Sequence, residues 1–358
     1  VTPPSWRPDV HGPADLVEEV IRIAGVDNVP AVPLPRPPGV SRPVMTDGQK
    51  RIARTRRVLA GRGLVEALTW SFIPKKDAEL FGGGQGEVEL ANPISTEMAV
   101  MRPSLLPNLI TAARQNANRG FSDLALFEAG QIFRGDKPDD QVMAAAGLRT
   151  GTAKLVGAGR RWDGEAKPVD VFDIKADAFA LLAALGFDPD KAQITRDAPQ
   201  WFHPGHSGLI RLGPKNIIGA FGELHPSTLK AMDLSGPAAA FEIYLPAIPY
   251  ARRKSSAKPP LVITDLQPVQ RDFAFVLDSN VLAGDVIKAA QAADKTLIAG
   301  VSVFDVFEGA SLGEGKKSLA IEVTLQPREK TLTDEEIEAV AGKIVAQVKK
   351  ATGGEIRG

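Results

Sequence analysis

The residues best suited to chemistry in this sequence are four carboxylates near its N-terminal end. Asp9 lies on a proline-rich stretch, and Asp15, Glu18 and Glu19 follow in the first turns of a predicted helix. Residues three or four positions apart share one helix face, so Asp15 lies on the same side as Glu18 and Glu19. Carboxylates gathered in this way suit Mg²⁺. Acidic residues in a first helical turn also favour the helix dipole without any metal, and spacing alone favours that simpler explanation.

Three histidines, at positions 203, 206 and 225, also invite interpretation as metal ligands. No carboxylate stands at a supporting spacing beside His203-Pro204-Gly205-His206, which looks like a turn between strands. His225-Pro226 looks like the start of a helix. A hydrogen-bonded structural role is therefore predicted for these side chains rather than metal binding. No phosphate-binding loop, nucleophile elbow or dinucleotide fingerprint occurs in the chain.

Composition and charge exclude several classes of protein. The 358 residues include 43 Lys and Arg and 43 Asp and Glu, so bulk charge does not predict nucleic-acid binding and any basic surface is local. The absence of cysteine excludes disulfides, cysteine-ligated zinc, iron–sulfur clusters and a cysteine nucleophile, and fits a cytosolic setting. No apolar run approaches the ~20 residues of a membrane span, so no membrane partner is expected.

Two proline-rich linkers divide the chain into three parts. Residues 1–33 form an extended segment and one helix, too few residues to bury a core alone, and 34–46 form a stiff linker. Residues 47–248 form the central domain, 249–263 a second linker with Pro and basic residues, and 264–358 a closing module. The basic residues of the second linker are Arg252, Arg253, Lys254 and Lys258. Because the sequence starts at Val1 without Met, we expect a fragment of a longer chain.

The central domain has the pattern of an α+β fold. Strands are predicted at Leu64–Phe72, Glu87–Ala91, Asp123–Phe133, Gln141–Leu148, Val171–Asp173, Ser207–Leu212, Asn216–Leu224 and Ala238–Leu245. Helices are predicted at Leu105–Asn118, Ile174–Leu185 and Pro226–Met232. Many strands follow one another without an intervening helix, which favours a mostly antiparallel sheet.

Basic residues crowd the helix that Asp47 is predicted to cap. They are Lys50, Arg51, Arg54, Arg56, Arg57 and Arg62, with apolar residues on the opposite side. Such a face can contact phosphates. It can equally be the solvated side of an amphipathic helix or a protein interface, and this alternative is favoured.

The closing module has the order βαββαβ, which predicts a ferredoxin-like fold. The segment from Arg271 to Asp278 alternates like a strand, and Thr333 with the acidic residues after it opens a long helix. From Thr264 onward the module holds 11 Lys and Arg against 15 Asp and Glu, a net charge of −4. Nucleic-acid contact would therefore have to use one face only. The candidates are Arg271, Lys316, Lys317, Arg328 and Lys330, of which the first four are retained as the basic candidates, and the alternative is a regulatory or packing module.

Taken in order, several segments resemble the β-subunit family of bacterial phenylalanyl-tRNA synthetases. The resemblance to its helical DNA-binding-like domain rests on Trp6-Arg7-Pro8-Asp9, Asp15-Leu16-Val17-Glu18-Glu19 and Ile23-Ala24-Gly25-Val26-Asp27-Asn28-Val29-Pro30. The resemblance to its synthetase-like core rests on Asn92-Pro93-Ile94-Ser95, Met101-Arg102-Pro103-Ser104-Leu105-Leu106-Pro107, Leu126-Phe127-Glu128-Ala129-Gly130 and Gly219-Ala220-Phe221-Gly222-Glu223-Leu224-His225-Pro226. Gln270-Arg271-Asp272-Phe273-Ala274-Phe275, Phe304-Asp305-Val306-Phe307 and Gly315-Lys316-Lys317-Ser318-Leu319-Ala320 resemble its anticodon-binding domain.

The resemblance changes which of the two explanations of the acidic cluster is favoured, the Mg²⁺ site or the helix dipole. In that family, two aspartates and two glutamates hold Mg²⁺ near the boundary with the α subunit. They fall on Asp9, Asp15, Glu18 and Glu19, and all four residue types are retained. The resemblance therefore favours the Mg²⁺ site. It likewise implies that the closing module binds tRNA, with the four basic candidates as its contacts.

The resemblance also implies a class II synthetase-like core that has lost its chemistry. Adenylate formation needs positive charge against the ATP phosphates. No Arg stands two residues before Glu128, and the segment from Gly236 to Glu242 has none where an active relative would place one. We therefore expect no catalytic residue here. An editing domain would lie before Val1, so editing is not expected of this chain.

The partners implied by the resemblance are the synthetase α subunit and tRNA(Phe), in a cytoplasmic α₂β₂ enzyme. That enzyme joins phenylalanine to tRNA with ATP, bound mainly by the α subunit, and Mg²⁺. Two alternatives stay open. The first is an independent class II-like enzyme that activates an amino acid, for which pyrophosphate exchange by the isolated chain is the test. The second is a ferredoxin-like regulator that senses a small molecule, which salt-dependent tRNA binding would argue against.

Overall fold

The computed structural model describes residues 1–35, 43–153, 166–250, 260 and 263–357. The chain divides into two compact units, Val1–Arg252 and Arg253–Gly358. The four basic residues predicted for the second linker, and the centre of the first linker, lie outside the described residues. Within the described part of the chain, no helix combines the length and the apolar character needed to cross a membrane.

The first unit begins with an isolated amphipathic helix and continues into a sheet domain. Its helices are α1 (Pro13–Ala24), α2 (Asp47–Gly61), α3 (Lys75–Leu80), α4 (Leu106–Ala117), α5 (Val171–Ala184) and α6 (Pro226–Ala231). Its strands are β1 (Val65–Glu66), β2 (Phe72–Ile73), β3 (Val100–Met101), β4 (Ala125–Phe133), β5 (Gln141–Thr150), β6 (Gln193–Thr195), β7 (Phe202–Leu212), β8 (Asn216–Leu224) and β9 (Ala238–Tyr244).

Seven of these strands form one sheet in the order β1-β4-β5-β9-β8-β7-β6. Every pair in it is antiparallel except β1 with β4, which confirms the predicted mostly antiparallel core. Helix α4 packs on one face through Leu106, Leu109 and Ala113. Helices α2 and α5 cover the other face through Leu59, Ile174, Leu181 and neighbouring residues. The sheet is therefore the middle of three layers.

Two predicted strands do not form as predicted. The prediction of a strand at Glu87–Ala91 was wrong, because residues 86–88 form a 3-10 turn and only Glu89 makes an isolated bridge, to Val100. The predicted strand Leu64–Phe72 is broken into β1 and β2. The chain leaves the seven-stranded sheet after β1 and joins a separate two-stranded ribbon with β3. Local β propensity cannot show such a change of partner.

Three other local predictions were also wrong, and each has a physical reason. Residues 171–173 open α5 rather than forming a strand, because the Asp170 carboxylate accepts hydrogen bonds from the amides of Phe172 and Asp173. Residues 203–206 lie inside β7 rather than in a turn, at an irregularity in its pairing with β8. Helix α2 is capped by Thr46, in a capping box with Gln49, and not by Asp47.

The second unit is a ferredoxin-like βαββαβ domain, as predicted. Its elements are β10 (Val269–Asp278), α7 (Ala283–Ala293), β11 (Ile298–Phe307), β12 (Lys316–Leu325), α8 (Asp334–Thr352) and β13 (Glu355–Ile356). The antiparallel sheet has the order β11-β12-β10-β13. Both helices pack on one face over Phe273, Phe275, Leu319 and Ile321. No helix that the structure describes in this unit packs on the opposite sheet face.

Candidate functional site

The N-terminal carboxylates are organised around a cation of the chain itself. The Arg7 guanidinium donates to Asp9, with 2.6 Å between Nη2 and Oδ2, and also pairs with Glu19. Glu19 pairs in addition with Arg22. Hydrogen bonding to Arg7 lowers the pKa of Asp9 to about 2 and lowers the pKa of Glu19 below its usual range. Both carboxylates are therefore ionised at neutral pH.

Asp15 is bonded to the backbone, whereas Asp9 and Glu19 are bonded to an arginine. Its Oδ2 accepts hydrogen bonds of 2.8 Å from the amides of His11 and Gly12, just ahead of α1. These bonds lower the pKa of its carboxyl below the usual range. Glu18 is exposed on the same helix. Among the described residues, no three His, Asp or Glu side chains are grouped closely enough to hold a metal ion.

The oxygen donors of this segment nevertheless suit Mg²⁺ chemically. Asp9 and Glu19, which are ten residues apart in the sequence, are drawn to one positive charge. Hard oxygen ligands with full negative charge are what Mg²⁺ prefers. The four residues therefore stay the predicted Mg²⁺ ligands, with Arg7 as the group that a bound ion would have to displace from Asp9 and Glu19.

The basic face of α2 is mostly structural. The Arg51 guanidinium is buried and donates to the carbonyl oxygens of Leu245 and Ile248, at 2.6 and 2.9 Å. It also lies 3.9 Å from the centre of the Tyr250 ring. Arg54 donates to a backbone carbonyl and Arg56 pairs with a glutamate. Arg51 therefore does not belong to the solvated helix face that the pattern favoured, because it is buried against backbone oxygens of the same unit.

The three histidines make the hydrogen bonds expected of structural residues. His203 Nδ1 accepts from the amide of Gly205, and His225 Nδ1 accepts from the amide of Ser227 at the start of α6. His206 Nδ1 lies 2.7 Å from a Glu223 oxygen. The His203 ring is tilted against that of His206, with centroids 4.6 Å apart, and it stacks on that of His225 at 6.1 Å. This confirms the predicted hydrogen-bonded role.

Two buried carboxylates lie in one row on the α4 face of the sheet, with one strand between them. Glu128 on β4 and Glu242 on β9 both pair in register with Ala146 on the strand between them. An ion pair of 2.8 Å joins Glu128 to Arg102, and the Thr69 hydroxyl donates to Glu128 at 2.6 Å. Every group in this cluster is thus committed to another group of the same chain.

Glu242 lies at the amino end of α4. Its Oε1 accepts from the Ser104 hydroxyl at 2.9 Å and from the Leu105 amide at 2.7 Å. Burial raises the pKa of its carboxyl to about 7, against the lowering effect of these two donors. The sequence predicts a strand here and no arginine, but sequence reasoning did not single out Glu242 itself. The buried glutamate itself was the signal, because an acidic residue inside an apolar strand needs a partner.

The four basic candidates of the closing module do not form one patch. Arg271 pairs in register with Val323, near the end of β12, and Arg328 follows that strand. Lys316 and Lys317 lie at the beginning of β12, seven and six positions or roughly 20–23 Å away from Val323 at 3.3 Å per residue. The structure therefore separates two arginines at one end of the module from two lysines at the other.

The two lysines are also engaged within the module. Lys316 pairs with Asp278 at 2.6 Å, and Lys317 donates to the carbonyl oxygens of Ser279 and Val281. Arg271 and Arg328 are exposed, and neither forms an ion pair with a carboxylate in the described part of the module. Charge alone thus favours the arginine end for phosphate contact.

Aromatic residues on β11 were missed as candidates by sequence reasoning. Phe304 is 58% exposed and Phe307 is 42% exposed, beside an irregularity in the pairing of β11 with β12. Phe307 pairs with Ser318, on the sheet face away from the helices, and Arg357 lies 5.6 Å from its ring centre. Large exposed aromatic rings on an open sheet face are platforms on which unpaired bases stack. The Phe304-Asp305-Val306-Phe307 motif was seen only as part of a family resemblance.

Comparison with known proteins identifies three family regions along the chain. The phenylalanyl tRNA synthetase beta chain CLM domain matches residues 33–245, and the ferredoxin-fold anticodon binding domain matches 264–357. The tRNA synthetase B5 domain matches residues 1–26. Together with the sheet order, these regions confirm the predicted α+β fold, with a mostly antiparallel domain of the synthetase beta-chain family followed by a ferredoxin-like βαββαβ domain.

Curated relatives match over the whole chain. A phenylalanine–tRNA ligase beta subunit of Bradyrhizobium diazoefficiens is 55% identical over 358 residues, and one of Rhodopseudomonas palustris is 56% identical over 360. The chain spans 44% and 45% of the lengths of these two relatives. A solved pyrrolysyl tRNA synthetase of Desulfitobacterium hafniense aligns with 66% of this chain and 71% of its own. The sequence identity is 12% and the TM-score is 0.41, which is too low to assign fold or function.

Proposed function

We propose, from the premise that this chain belongs to the phenylalanyl-tRNA synthetase β-chain family, that it is a non-catalytic part of phenylalanine–tRNA ligase. In this role its sheet domain packs on a catalytic α subunit and its ferredoxin-like domain binds tRNA(Phe). The domain limits that we propose are 1–33, 47–248 and 264–358, with linkers between them. The intact enzyme would be an α₂β₂ assembly in the cytoplasm.

The scaffold role rests on the two buried carboxylates, because both are already bonded to other groups of the same chain. Glu128 is neutralised by Arg102, and Glu242 is bound to the first residues at the start of α4. Both faces of the seven-stranded sheet are covered by helices. Leu126 stands two residues before Glu128, where the catalytic arginine of an active relative is expected, and it packs in the core. Such a sheet supports a partner rather than reacting with ATP.

Co-purification with the α subunit tests the scaffold role. We expect the chain to co-elute with the catalytic α subunit of the same organism. We expect the chain alone to show no exchange of pyrophosphate into ATP, because Arg102 beside the buried carboxylates is already paired with Glu128. The α subunit assayed with and without the chain is the control. Pyrophosphate exchange by the isolated chain above background would instead establish an independent amino-acid-activating enzyme.

Exposed aromatic rings support tRNA binding by the closing domain. Bulk charge opposes it, because the net charge from Thr264 onward is −4. Phe304 and Phe307 offer stacking surfaces that need no positive charge, while exposed Arg271 and Arg328 can reach phosphates from one end of the domain. We propose Arg271, Lys316, Lys317 and Arg328 as phosphate contacts, with the two arginines contributing more.

The salt dependence of tRNA affinity tests these contacts. We expect Arg271→Gln with Arg328→Gln to lower the slope of log affinity against log salt by about two in the assembled enzyme. Lys316→Gln with Lys317→Gln should lower the slope by about one or less, because Lys316 is already paired with Asp278. The exposed Lys350→Gln is the matched control. An unchanged slope in both double variants would show that this domain uses none of the four residues for phosphate contact.

We further propose Asp9, Asp15, Glu18 and Glu19 as a Mg²⁺ site beside the α subunit. When bound, the ion would supply positive charge that holds these carboxylates together. Asp15 also fixes the entry to α1 through the amides of His11 and Gly12. ATP would be bound mainly by the α subunit.

Isosteric neutral variants test the metal site. We expect Asp15→Asn with Glu18→Gln to weaken Mg²⁺ binding to the assembled enzyme by about tenfold or more, because two charged ligands are lost. Asn at position 15 can still accept the two backbone hydrogen bonds, so α1 should stay intact. Asp27→Asn, at an exposed acid beyond α1, is the control. Equal Mg²⁺ affinity in the double variant and the parent enzyme would remove the proposed site.

A further inference from the structure

A groove of about 800 Å³ opens in the first unit, and neither of the two buried glutamates is among its lining residues. It lies where β5 and β8 begin and where β7 and β9 end. Its apolar wall includes Val142, Leu209 and Tyr244, which belong to or pack against the core on the α4 face. Small-molecule sites have this size and this largely apolar lining with a few polar groups.

The groove carries excess positive charge. Arg134, Arg211 and Lys215 line it, against the single carboxylate of Asp197. Arg211 is fully engaged, since it pairs with Asp197 and donates to the Thr195 hydroxyl and the Pro214 carbonyl. Arg134 and Lys215 form no ion pair with any carboxylate that the structure describes. Lys215 therefore faces the groove without a counter-ion among the described residues, whereas Arg134 has the Tyr244 hydroxyl as a partner and feels the charge of Glu242, which does not line the groove.

One of these cations lies on an aromatic ring. The Arg134 guanidinium carbon is 4.6 Å from the centre of the Tyr244 ring. A guanidinium held in this way presents several N–H donors in a fixed geometry, which suits carboxylate and phosphate groups. Burial raises the pKa of the Tyr244 phenol far above its usual range, so its hydroxyl stays a neutral donor.

We propose that this groove binds an organic anion of mononucleotide size, made of a planar ring system and a phosphate group. Its charged group contacts Arg134 and Lys215, and its planar body lies against Tyr244 and the apolar wall. A neutral planar molecule would leave Lys215 without a counter-ion, and inorganic phosphate would leave the apolar wall in water. Recognition therefore needs both parts of the ligand. Nothing in this site depends on the scaffold role or on tRNA binding.

Calorimetric titration of the complete chain with AMP tests the proposal, with adenosine and inorganic phosphate measured at the same ionic strength. We expect AMP to bind at least about tenfold more tightly than either of its parts. Arg134→Gln and Lys215→Gln should each weaken AMP binding by about tenfold, because each removes a charge-assisted hydrogen bond. Lys230→Gln, which lines a different pocket, is the matched control and should bind AMP like the parent chain.

Lys215 is exposed, so its variant tests the site even if Arg134→Gln unfolds the domain, which thermal unfolding will show. The absence of AMP binding at millimolar concentration would overturn the proposal. So would AMP binding that Lys215→Gln leaves unchanged. Phosphate binding as tight as AMP binding would overturn the ligand class, because the apolar wall would then contribute nothing.

Discussion

Replacing Asp177 by alanine will lower the free energy of unfolding of the first unit by about 3–5 kcal/mol. Asp177 is fully buried on α5, and the Arg149 guanidinium binds both of its oxygens, at 2.6 and 3.2 Å. Arg62 also pairs with it. Without the carboxylate, the buried charge of Arg149 has only carbonyl oxygens as partners. A buried charge without a counter-ion is costly because the interior solvates it poorly.

Urea unfolding followed by tryptophan fluorescence measures this effect. All four tryptophans, at positions 6, 70, 162 and 201, belong to the first unit, so the signal does not report on the ferredoxin-like domain. Asp188→Ala removes an exposed pair with Lys191 and should cost less than about 1 kcal/mol. The double variant Arg149→Met with Asp177→Leu should recover most of the loss, because it removes both charges. A loss below about 1 kcal/mol in Asp177→Ala would show that Arg149 finds water in its place.

Glu242 makes the stability of the first unit fall as pH rises from about 5 to 8. Burial raises the pKa of its carboxyl to about 7 in the folded protein, from an ordinary value of 4.5. Between these values the folded chain binds the proton that the unfolded chain has lost, so rising pH favours unfolding. Below pH 4.5 both states are protonated at this group and the penalty is absent. Above pH 7 the full penalty applies, on the order of 3 kcal/mol.

Glu242→Gln removes this titration while keeping an oxygen that accepts from Ser104 and Leu105. We expect the free energy of unfolding of the variant, relative to that of the parent chain, to rise by about 3 kcal/mol from pH 5 to pH 8 in the same fluorescence-detected unfolding. Glu87→Gln, at an exposed glutamate of the same unit, should follow the parent at each pH. If the difference between Glu242→Gln and the parent is constant over this range, Glu242 does not titrate there.

These two predictions rest on contacts that no local sequence pattern indicates. In the sequence, nothing distinguishes Asp177 from other polar residues of a helix, or Arg149 from other polar residues near the end of a strand. Their ion pair exists because α5 packs against β5 in the folded sheet domain. Glu242 likewise depends on α4, whose first residues lie 137 positions earlier in the chain. Contacts over such distances are set by the topology of the sheet.

The sequence by itself determined the closing domain. Strict alternation along β10 and β12 places Phe273, Phe275, Leu319 and Ile321 on one buried face. Thr333 and Glu336 form the capping box that starts α8, and its apolar stripe is buried as the spacing predicts. These signals are local, so each can be recognised without knowledge of distant partners. The same holds for the order of motifs that indicates the family.

Only the tertiary structure decided which charges are free. Arg51 belonged to a basic helix face in the sequence, yet it is buried against carbonyl oxygens 194 and 197 residues away. Lys316 and Lys317 were grouped with Arg271 and Arg328, but register pairing puts them at opposite ends of one sheet. The carboxylates near α1 looked equivalent, and the fold gives Asp9 to Arg7 but Asp15 to the backbone. A side chain's type fixes what it can bind, whereas only packing decides which partners remain within reach.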